Sequence, residues 1–407
     1  MKRRTALHAK ACTDRVTVCV VPMSFWLVPT NDTLRLARTT PNWGIRWDTK
    51  KAWKSIFHIP RHQQPKPPLP LLFFQQTHWN ILQHVLVHEL ARHPARTDDR
   101  RNASFCVVAA PARGACEPWK RLCPGKLLAV IDTPDVDDIF HSQLCPSLWR
   151  MCRVSTPLVV RVIGAPGILA RPHMSVCRTL SVPWLSHART GVVALQARRR
   201  PVRIALAIGT NGHGGARKLG FQLLRRQLRD ACLGIRNGSM CRRMFQSLSG
   251  GHGRGAVELY ATSTFCLQPP GDTIPRAGIV DALSVGCVPV LFHPAQQRLW
   301  PCYWTASKAS VLFDWTSSPR PNATNMLQTL LAMPPDEVER LRSAGADAAQ
   351  RMHYRGKLGI PGQTDAIDAL VRTLGAANES TGPGCELPAR VRPKITTPWY
   401  NLRAPTT

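Results

Sequence analysis

The chain reads as an α/β protein of two Rossmann-like domains, and three stretches lead to that class. Residues 263–292, STFCLQPPGDTIPRAGIVDALSVGCVPVLF, run apolar strand, turn, helix and apolar strand without a break. Val202 to Ile208 is an apolar strand that enters a glycine-rich loop and then a helical pattern. In the first half, a helix-spaced segment at 77–93 is followed by short apolar runs at 105–110, 127–131 and 158–163. Strand patterns alternating with helical ones point to parallel sheets made of crossover units. A length of 407 residues allows two domains, each with its own core. The expected division is 1–195, 196–377 and a tail at 378–407. The charged, unpatterned stretch Gln196 to Arg200 marks the junction, and the Pro-, Thr- and Arg-rich composition of the tail predicts disorder.

Taken along the chain, Val16 to Leu27 reads as a first strand. After the basic start Met1-Lys2-Arg3-Arg4, the apolar run from Val16 to Pro29 is too short to span a bilayer and contains Pro22. It has the look of either a signal-peptide core or a buried strand; on the strand reading, a targeting segment lies upstream of Met1 or has been lost. Residues 41–70, rich in Trp, His and Pro, show no core pattern. In 77–93, Trp79, Leu82, Val85, Leu86 and Leu90 recur at helical spacing. His84 and His88 on that helix have the spacing of a metal pair, but no third ligand follows at a recognised distance, which favours a solvated face.

Gly209 to Gly215 form the loop after the 202–208 strand, and Arg217 and Lys218 precede a helix expected at Leu219 to Leu228. Glycines let backbone approach a phosphate closely, and the two cations would neutralise it. In 263–292, the strand from Ser263 to Leu267 stops at Pro269-Pro270-Gly271. Thr273 is the expected cap of the next helix and Pro275 belongs to its first turn; Ile279, Val280 and Leu283 make its buried face, Gly286 ends it, and a strand at Val288 to Phe292 follows. That layout sets Gly271, Asp272, free N–H groups and Arg276 at a helix N-terminus suited to a diphosphate, with Asp281 further along as a partner for ribose hydroxyls. Spacing alone leaves open an ordinary crossover whose Arg and Asp are merely solvated. Residues 335–352 read as a further helix.

With 54 basic and 24 acidic residues the formal charge is +30. Such a balance normally points to nucleic acid, an anionic polymer or a membrane surface. Here the charge is mostly Arg, spread from Lys2 to Arg403, and no RNA-recognition, homeodomain or zinc-finger pattern accompanies it. Nucleic acid is therefore not the expected partner. Fourteen cysteines are many for a reducing compartment. The six-residue gaps within Cys116/Cys123 and Cys145/Cys152 do not match short zinc knuckles, so disulfides or buried thiols are expected there. Five of ten asparagines head N-x-S/T sequons, Asn31, Asn102, Asn237, Asn322 and Asn378, a pattern that favours a secretory chain.

The 263–292 segment resembles the nucleotide-sugar signature of the exostosin family of glycosyltransferases, in the branch of the plant xyloglucan galactosyltransferases. That branch carries S-x-F-C-L-Q-P-P-G-D-S, an Arg-containing turn, and F-D-A-x-x-x-G-C-I-P-V-F-F. Ser263, Phe265, Cys266, Leu267, Gln268, Pro269, Pro270, Gly271 and Asp272 match its first part. Arg276, Asp281, Ala282, Gly286, Cys287, Pro289, Val290 and Phe292 match the rest. Trp300 and Pro301 fit a later aromatic-rich turn of the family, and Lys308, Ser310 and Val311 a Lys-containing Ser-Val segment before its next strand. Two departures stand out. Arg276 is followed by Ala277 where the family often has a second Arg, and of a G-R-D-H or G-R-N-H loop only Arg101 and Asn102 remain. The resemblance implies a GT-B fold, two Rossmann-like domains facing a cleft, and an inverting transfer from a UDP-sugar, galactose by branch, to a glycan acceptor in the Golgi lumen or secretory pathway. It implies donor contacts from Ser263, Gly271, Asp272, Arg276, Asp281, Gly209, Arg217 and Lys218, with no metal and no cofactor beyond the donor substrate. It names no general base; Asp98, Asp99 and Asp135 are acidic residues in suitable loops. The competing expectation, motivated by the two departures, is a non-catalytic glycan- or polyanion-binding protein that keeps the fold. Membrane association through a targeting segment is compatible with either.

Overall fold

The computed structural model describes residues 24–27, 79–109, 124–131, 158–161, 178–188, 199–209, 221–235, 238–246, 252–271, 274–354 and 365–378. Two five-stranded parallel sheets form its frame. The first contains β1 (Phe25–Leu27), β2 (Phe105–Ala109), β3 (Leu127–Ile131), β4 (Leu158–Arg161) and β5 (Arg178–Ser181), neighbours in chain order. The second contains β6 (Val202–Gly209), β7 (Cys241–Gln246), β8 (Ser263–Gln268), β9 (Val288–Leu291) and β10 (Val311–Leu312) in the order β10-β9-β8-β6-β7. Every pairing in both sheets is parallel. The α/β class and two parallel sheets, as expected of two Rossmann-like units, are thus observed. Of the 16–27 strand only its end lies among the described residues, as β1. The 158–163 strand is observed as Leu158–Arg161, and β5 had no distinct pattern in the sequence.

The helices follow from the same periodicities. α1 (Trp79–Arg92) buries Leu82, Val85, Leu86 and Leu90 against the first sheet. Its His84 and His88 side chains lie outside the described residues, as do Cys116, Cys123, Cys145, Cys152 and the tail beyond Asn378. In the second half come α2 (Phe221–Gly234), α3 (His252–Ala261), α4 (Ala277–Ser284), the short α5 (Pro294–Gln297) and α6 (Ala306–Ala309), α7 (Ala323–Ala332) and α8 (Pro335–Met352). α8 has the predicted bounds, whereas α2 runs six residues past its expected end and includes Cys232, which is disulfide-bonded to Cys241 at the start of β7.

Side chains of β6 alternate with the period of a strand. Ile204, Leu206 and Ile208 face a core shared with α2 and α7, whereas Ala205 and Ala207 face α3 and α4. The second face is lined by small residues, so α3 and α4 approach the sheet closely. The Cys266–Cys287 disulfide lies on that side and ties β8 to the entry of β9. Arg200 fastens the same region by donating to the carbonyls of Tyr260, Ser263 and Val285.

A helix absent from the sequence reading, α9 (Ala366–Asn378), returns to the first sheet and packs on α1 and β2. Its Leu370, Val371 and Leu374 share one core with Phe25, Leu86 and Phe105. His93 Nε2 meets Asp368 Oδ1 at 3.0 Å across this contact. Trp300, fully buried with φ +52°, joins that core too, and its N–H donates to Ser181 Oγ at the end of β5. A left-handed tryptophan costs about 1–3 kcal/mol, and its packing across both halves offsets that strain.

His293 caps α5, its Nδ1 accepting the Ala295 N–H at 2.9 Å. An acceptor nitrogen must be unprotonated, and burial pushes the imidazole pKa down to about 4, Asp314 opposing and Arg298 adding to the shift. The unfolded chain binds a proton here near pH 6.5 and the folded one only near 4. The stability contributed by the neutral ring is therefore present above pH 6.5 and is lost as pH falls toward 4, by about 3 kcal/mol in total. Thermal unfolding followed from pH 7 to pH 4 should show this acid limb, and His293→Asn, which keeps an acceptor but cannot protonate, should flatten it.

Candidate functional site

In the second sheet the chain moves from β6 to β7 on one side and then returns to β8 on the other. Strand order therefore reverses between β6 and β8, and ligands of open α/β sheets bind beyond the carboxyl ends of the strands at such a reversal. The register Leu206 beside Leu267 carries both strands out of the sheet side by side, β6 ending at Gly209 and β8 at Gln268. Gly209 and the turn Pro269-Pro270-Gly271 thus flank one crevice. The last described residue before the glycine-rich loop and the Pro269–Gly271 turn therefore lie at the place where this topology puts a ligand, and residues 210–215 lie outside the described residues. Arg217, Lys218 and Asp272 lie outside the described residues.

Two cations converge on Gly271. A Cβ added there would stand 2.7 Å from Arg276 Nη1 and 2.9 Å from Arg225 Nη2, so both guanidinium groups occupy one side of that turn. Arg225 lies on α2, buried, with its Nε donating to the Pro270 carbonyl at 3.0 Å. It was not among the expected contacts. Its signal in the sequence was an arginine on the apolar face of an amphipathic helix, beside Leu224 and one turn from Phe221 and Leu228.

Arg276 is the N-cap of α4, with extended backbone (φ −134°, ψ 128°) and no side-chain cap bond. The helix consequently begins at Ala277, and Pro275 precedes the cap instead of sitting in the first turn. First-turn N–H groups of a helix lack partners within the helix and attract anions. Gly278 keeps this end close to the strand, since a Cβ there would lie 2.5 Å from Oε1 of the fully buried Gln268. At the other end Gly286 has φ +72°, with Gly286 N–H bonded to Leu283 O and Cys287 N–H to Ala282 O, the paired bonds of a Schellman stop.

Asp281 is almost wholly buried. Its Oδ1 accepts from Ser186 Oγ at 2.8 Å and from the His187 N–H at 2.6 Å, and its Oδ2 meets His187 Nδ1 at 2.7 Å. Ser284 Oγ extends the network to Ser186 at 3.3 Å and to His353 Nε2 at 2.6 Å. The ribose contact expected of Asp281 gives way to a positioning role, because its oxygens are committed to the segment leaving β5. Ser263 also stands apart. It begins β8, with its Oγ donating to Leu259 O, at the amino end of a strand whose carboxyl end is about 17 Å away. It does not reach the crevice.

On the first sheet's side, Asp98 pairs with Arg96, and Asp99 caps a short 3-10 turn (Arg100–Asn102) by accepting from the Arg101 N–H and Asn102 Nδ2. These exposed groups organise their own loop. Asp135 lies outside the described residues.

Residues 177–328 match the Exostosin GT47 domain. That exostosin-like stretch spans the second sheet, both converging arginines and the Ser186–His187 partners of Asp281. Among curated proteins of Arabidopsis thaliana, the probable xyloglucan galactosyltransferase GT15 is 36% identical over 84 residues, 20% of this chain and 17% of that protein. The probable xyloglucan galactosyltransferase GT17 is 35% identical over 122 residues, 28% of this chain and 25% of that one. The chain thus spans a quarter or less of these relatives' length. Among solved structures, the GtfA/B complex overlaps with a TM-score of 0.37 at 9% identity, covering 66% of this chain and 57% of that one. At that score the overlap does not bear on fold or activity.

Two outcomes follow from this geometry. In Gly271→Ala the new methyl meets both guanidinium groups, one of them on the buried Arg225 that is bonded to the Pro270 carbonyl, so thermal unfolding should show a loss of about 1–3 kcal/mol, and displacement of the two cations should weaken binding of inorganic pyrophosphate about tenfold by calorimetry. Asp281→Ala should destabilise the protein by about 3 kcal/mol in urea unfolding, since it strands the His187 N–H and Ser186 hydroxyl. Asp281→Asn, which can still accept from both and present an N–H to His187 Nδ1, should recover most of that loss.

Proposed function

We propose that this chain is a glycosyltransferase that takes a sugar from a UDP-sugar, galactose first among the donors, and passes it with inversion to a hydroxyl of a glycan acceptor. The observation that carries the reading is the convergence of Arg225 and Arg276 on Gly271, at the strand-order reversal of the second sheet. In such a transfer the bond from the anomeric carbon to the diphosphate oxygen breaks while the acceptor oxygen attacks from the opposite face. Negative charge grows on the departing diphosphate. Two fixed guanidinium groups and the first-turn N–H groups of α4 are placed to stabilise that charge, and they do so more strongly in the transition state than in the bound donor.

The match of residues 177–328 to the Exostosin GT47 domain supports the reaction class, and the similarity to probable xyloglucan galactosyltransferases of Arabidopsis supports galactose as the donor sugar to try first. Arg225 supplies the second cation that Ala277 does not, which removes one of the two grounds for reading the chain as a non-catalytic binder. The disulfides Cys232–Cys241 and Cys266–Cys287 support an oxidising compartment, the secretory lumen.

The test is release of UDP from a panel of UDP-sugars with xyloglucan oligosaccharides as acceptors. UDP-galactose should turn over fastest, and Arg225→Ala and Arg276→Ala should each lower kcat/KM by about 10- to 100-fold. Wild-type rates in both variants would remove the two arginines from the mechanism. Binding of UDP without turnover of any donor would leave the non-catalytic reading standing.

A further inference from the structure

Of the sequons, Asn322-Ala323-Thr324 and Asn102-Ala103-Ser104 have both their asparagine and their hydroxyl residue among the described residues, and the structure separates them. At the first, Asn322 and Thr324 are both exposed. Asn322 Oδ1 caps α7 by accepting the Thr324 and Asn325 N–H groups at 2.8 and 3.4 Å, while Nδ2 makes no hydrogen bond among the described residues. At the second, Asn102 Nδ2 donates to Asp99 Oδ2 at 3.0 Å, and the half-buried Ser104 hydroxyl accepts from the Ser24 N–H. Asn102 is exposed as well, but its amide nitrogen and the Ser104 hydroxyl are engaged in the 3-10 turn and the β1 to β2 contact, whereas Asn322 and Thr324 are both exposed and Asn322 Nδ2 makes no such bond among the described residues.

Asn322 also lines a groove of about 820 Å³ between α2 and α7. Gln227, Asp230 and Gln328 give the groove hydrogen-bonding walls, and Leu223 on its edge is 41% exposed. Trp315, Ile235 and Leu331 line it as well, and such a mixed surface suits a short oligosaccharide, whose ring faces are apolar and whose hydroxyls need hydrogen-bonding partners. Its nearest anchor is Asn322 itself.

We propose that Asn322 is an N-glycosylation site and that the first sugars of its glycan lie along the α2–α7 groove, covering Leu223. The proposal rests on the secretory-lumen part of the functional reading. The donor would be a lipid-linked diphosphate oligosaccharide. Its anomeric C–O bond to the diphosphate breaks, a bond forms from that carbon to Asn322 Nδ2, and one Nδ2 proton leaves. Oδ1 keeps its lone pairs, so the α7 cap survives the modification. The groove is lined by Leu223, Gln227 and Asp230 of α2, whereas Arg225 of that helix is buried and bonded to the Pro270 carbonyl.

The full chain, directed into the secretory pathway of plant cells by an appended leader, is recovered from total microsomes and digested after peptide-N-glycosidase treatment in heavy-oxygen water. Mass spectrometry should find most Asn322 peptides converted to labelled Asp, and Asn102 peptides largely unconverted. Thr324→Ala, which leaves the Asn322 cap in place, should abolish conversion at Asn322. The same variant should show faster backbone hydrogen exchange in 221–235 than the glycosylated chain. Unconverted Asn322 in lumenal protein overturns the site, and equal exchange in the two proteins overturns the placement of the sugars. Separately, UDP release from UDP-sugars by the same lumenal chain reports the functional reading, so turnover with Asn322 unmodified overturns the site alone, and modification without turnover of any donor overturns the functional reading alone.

Discussion

The carboxylate of Asp281 is the interaction around which this molecule is arranged. It projects from α4, the helix that follows the arginine turn, and is gripped by Ser186 and His187 in the segment that leaves β5. A buried carboxylate is tolerated only when its oxygens are satisfied, so the position of α4 and the path of the chain between the two sheets fix one another. Ser284 and His353 continue the same polar seam toward the end of α8. Around it lies an apolar frame. Ile279, Val280 and Leu283 of α4 belong to the core that also holds β1, β2 and α9, whereas Ala282 and Val285 belong to the core beneath β6 and β8. One eight-residue helix therefore faces both halves of the protein and also presents its N-terminus to the crevice.

That double duty explains the choice of residues on the second sheet. The face toward α2 and α7 is packed with Ile, Leu and Phe, which keep helices at ordinary spacing. The face toward α3 and α4 uses Ala and the Cys266–Cys287 pair, which draws α4 close enough for Gly278 to rest on Gln268. Close packing is what converts a helix N-terminus into a fixed part of a site, because an anion can be stabilised there only if the N–H groups and the cations beside them do not have to reorganise on binding. Arg225 is oriented by the same logic. Its bond to the Pro270 carbonyl and its burial on α2 hold a cation at the turn that follows β8. Two like charges side by side raise the field at that spot, and a diphosphate lowers it.

Much of this could be read from the residues alone. The apolar run at 202–208 and the helical spacing in 77–93 identified a strand and a helix, because burial is written locally in a sequence. Pro269-Pro270-Gly271 announced the end of β8, and Gly286 the end of α4, since each is the residue its backbone conformation requires. What escaped was whatever depends on distant partners. α9 was not read as a helix, although 366–377 was counted within the second domain, because its apolar residues find their core on α1 and β2, more than two hundred and fifty positions earlier. β5 is a four-residue strand whose pattern is too short to stand out.

Residue order is enough for the α/β class, the strand, turn and helix order of 263–292, and an arginine at the head of α4, because these are set by local periodicity, turn chemistry and residue type. What those groups do is settled by contacts between distant parts of the chain. Arg225 and Arg276 are 51 positions apart in the chain and meet because β6 and β8 are neighbours. Ser263 and Gly271 are close in sequence yet lie at opposite ends of a strand, and Asp281, placed by spacing near a ribose, turns instead to Ser186 and His187. Sequence distance measures how the chain is written; strand order and burial decide which charges share a crevice.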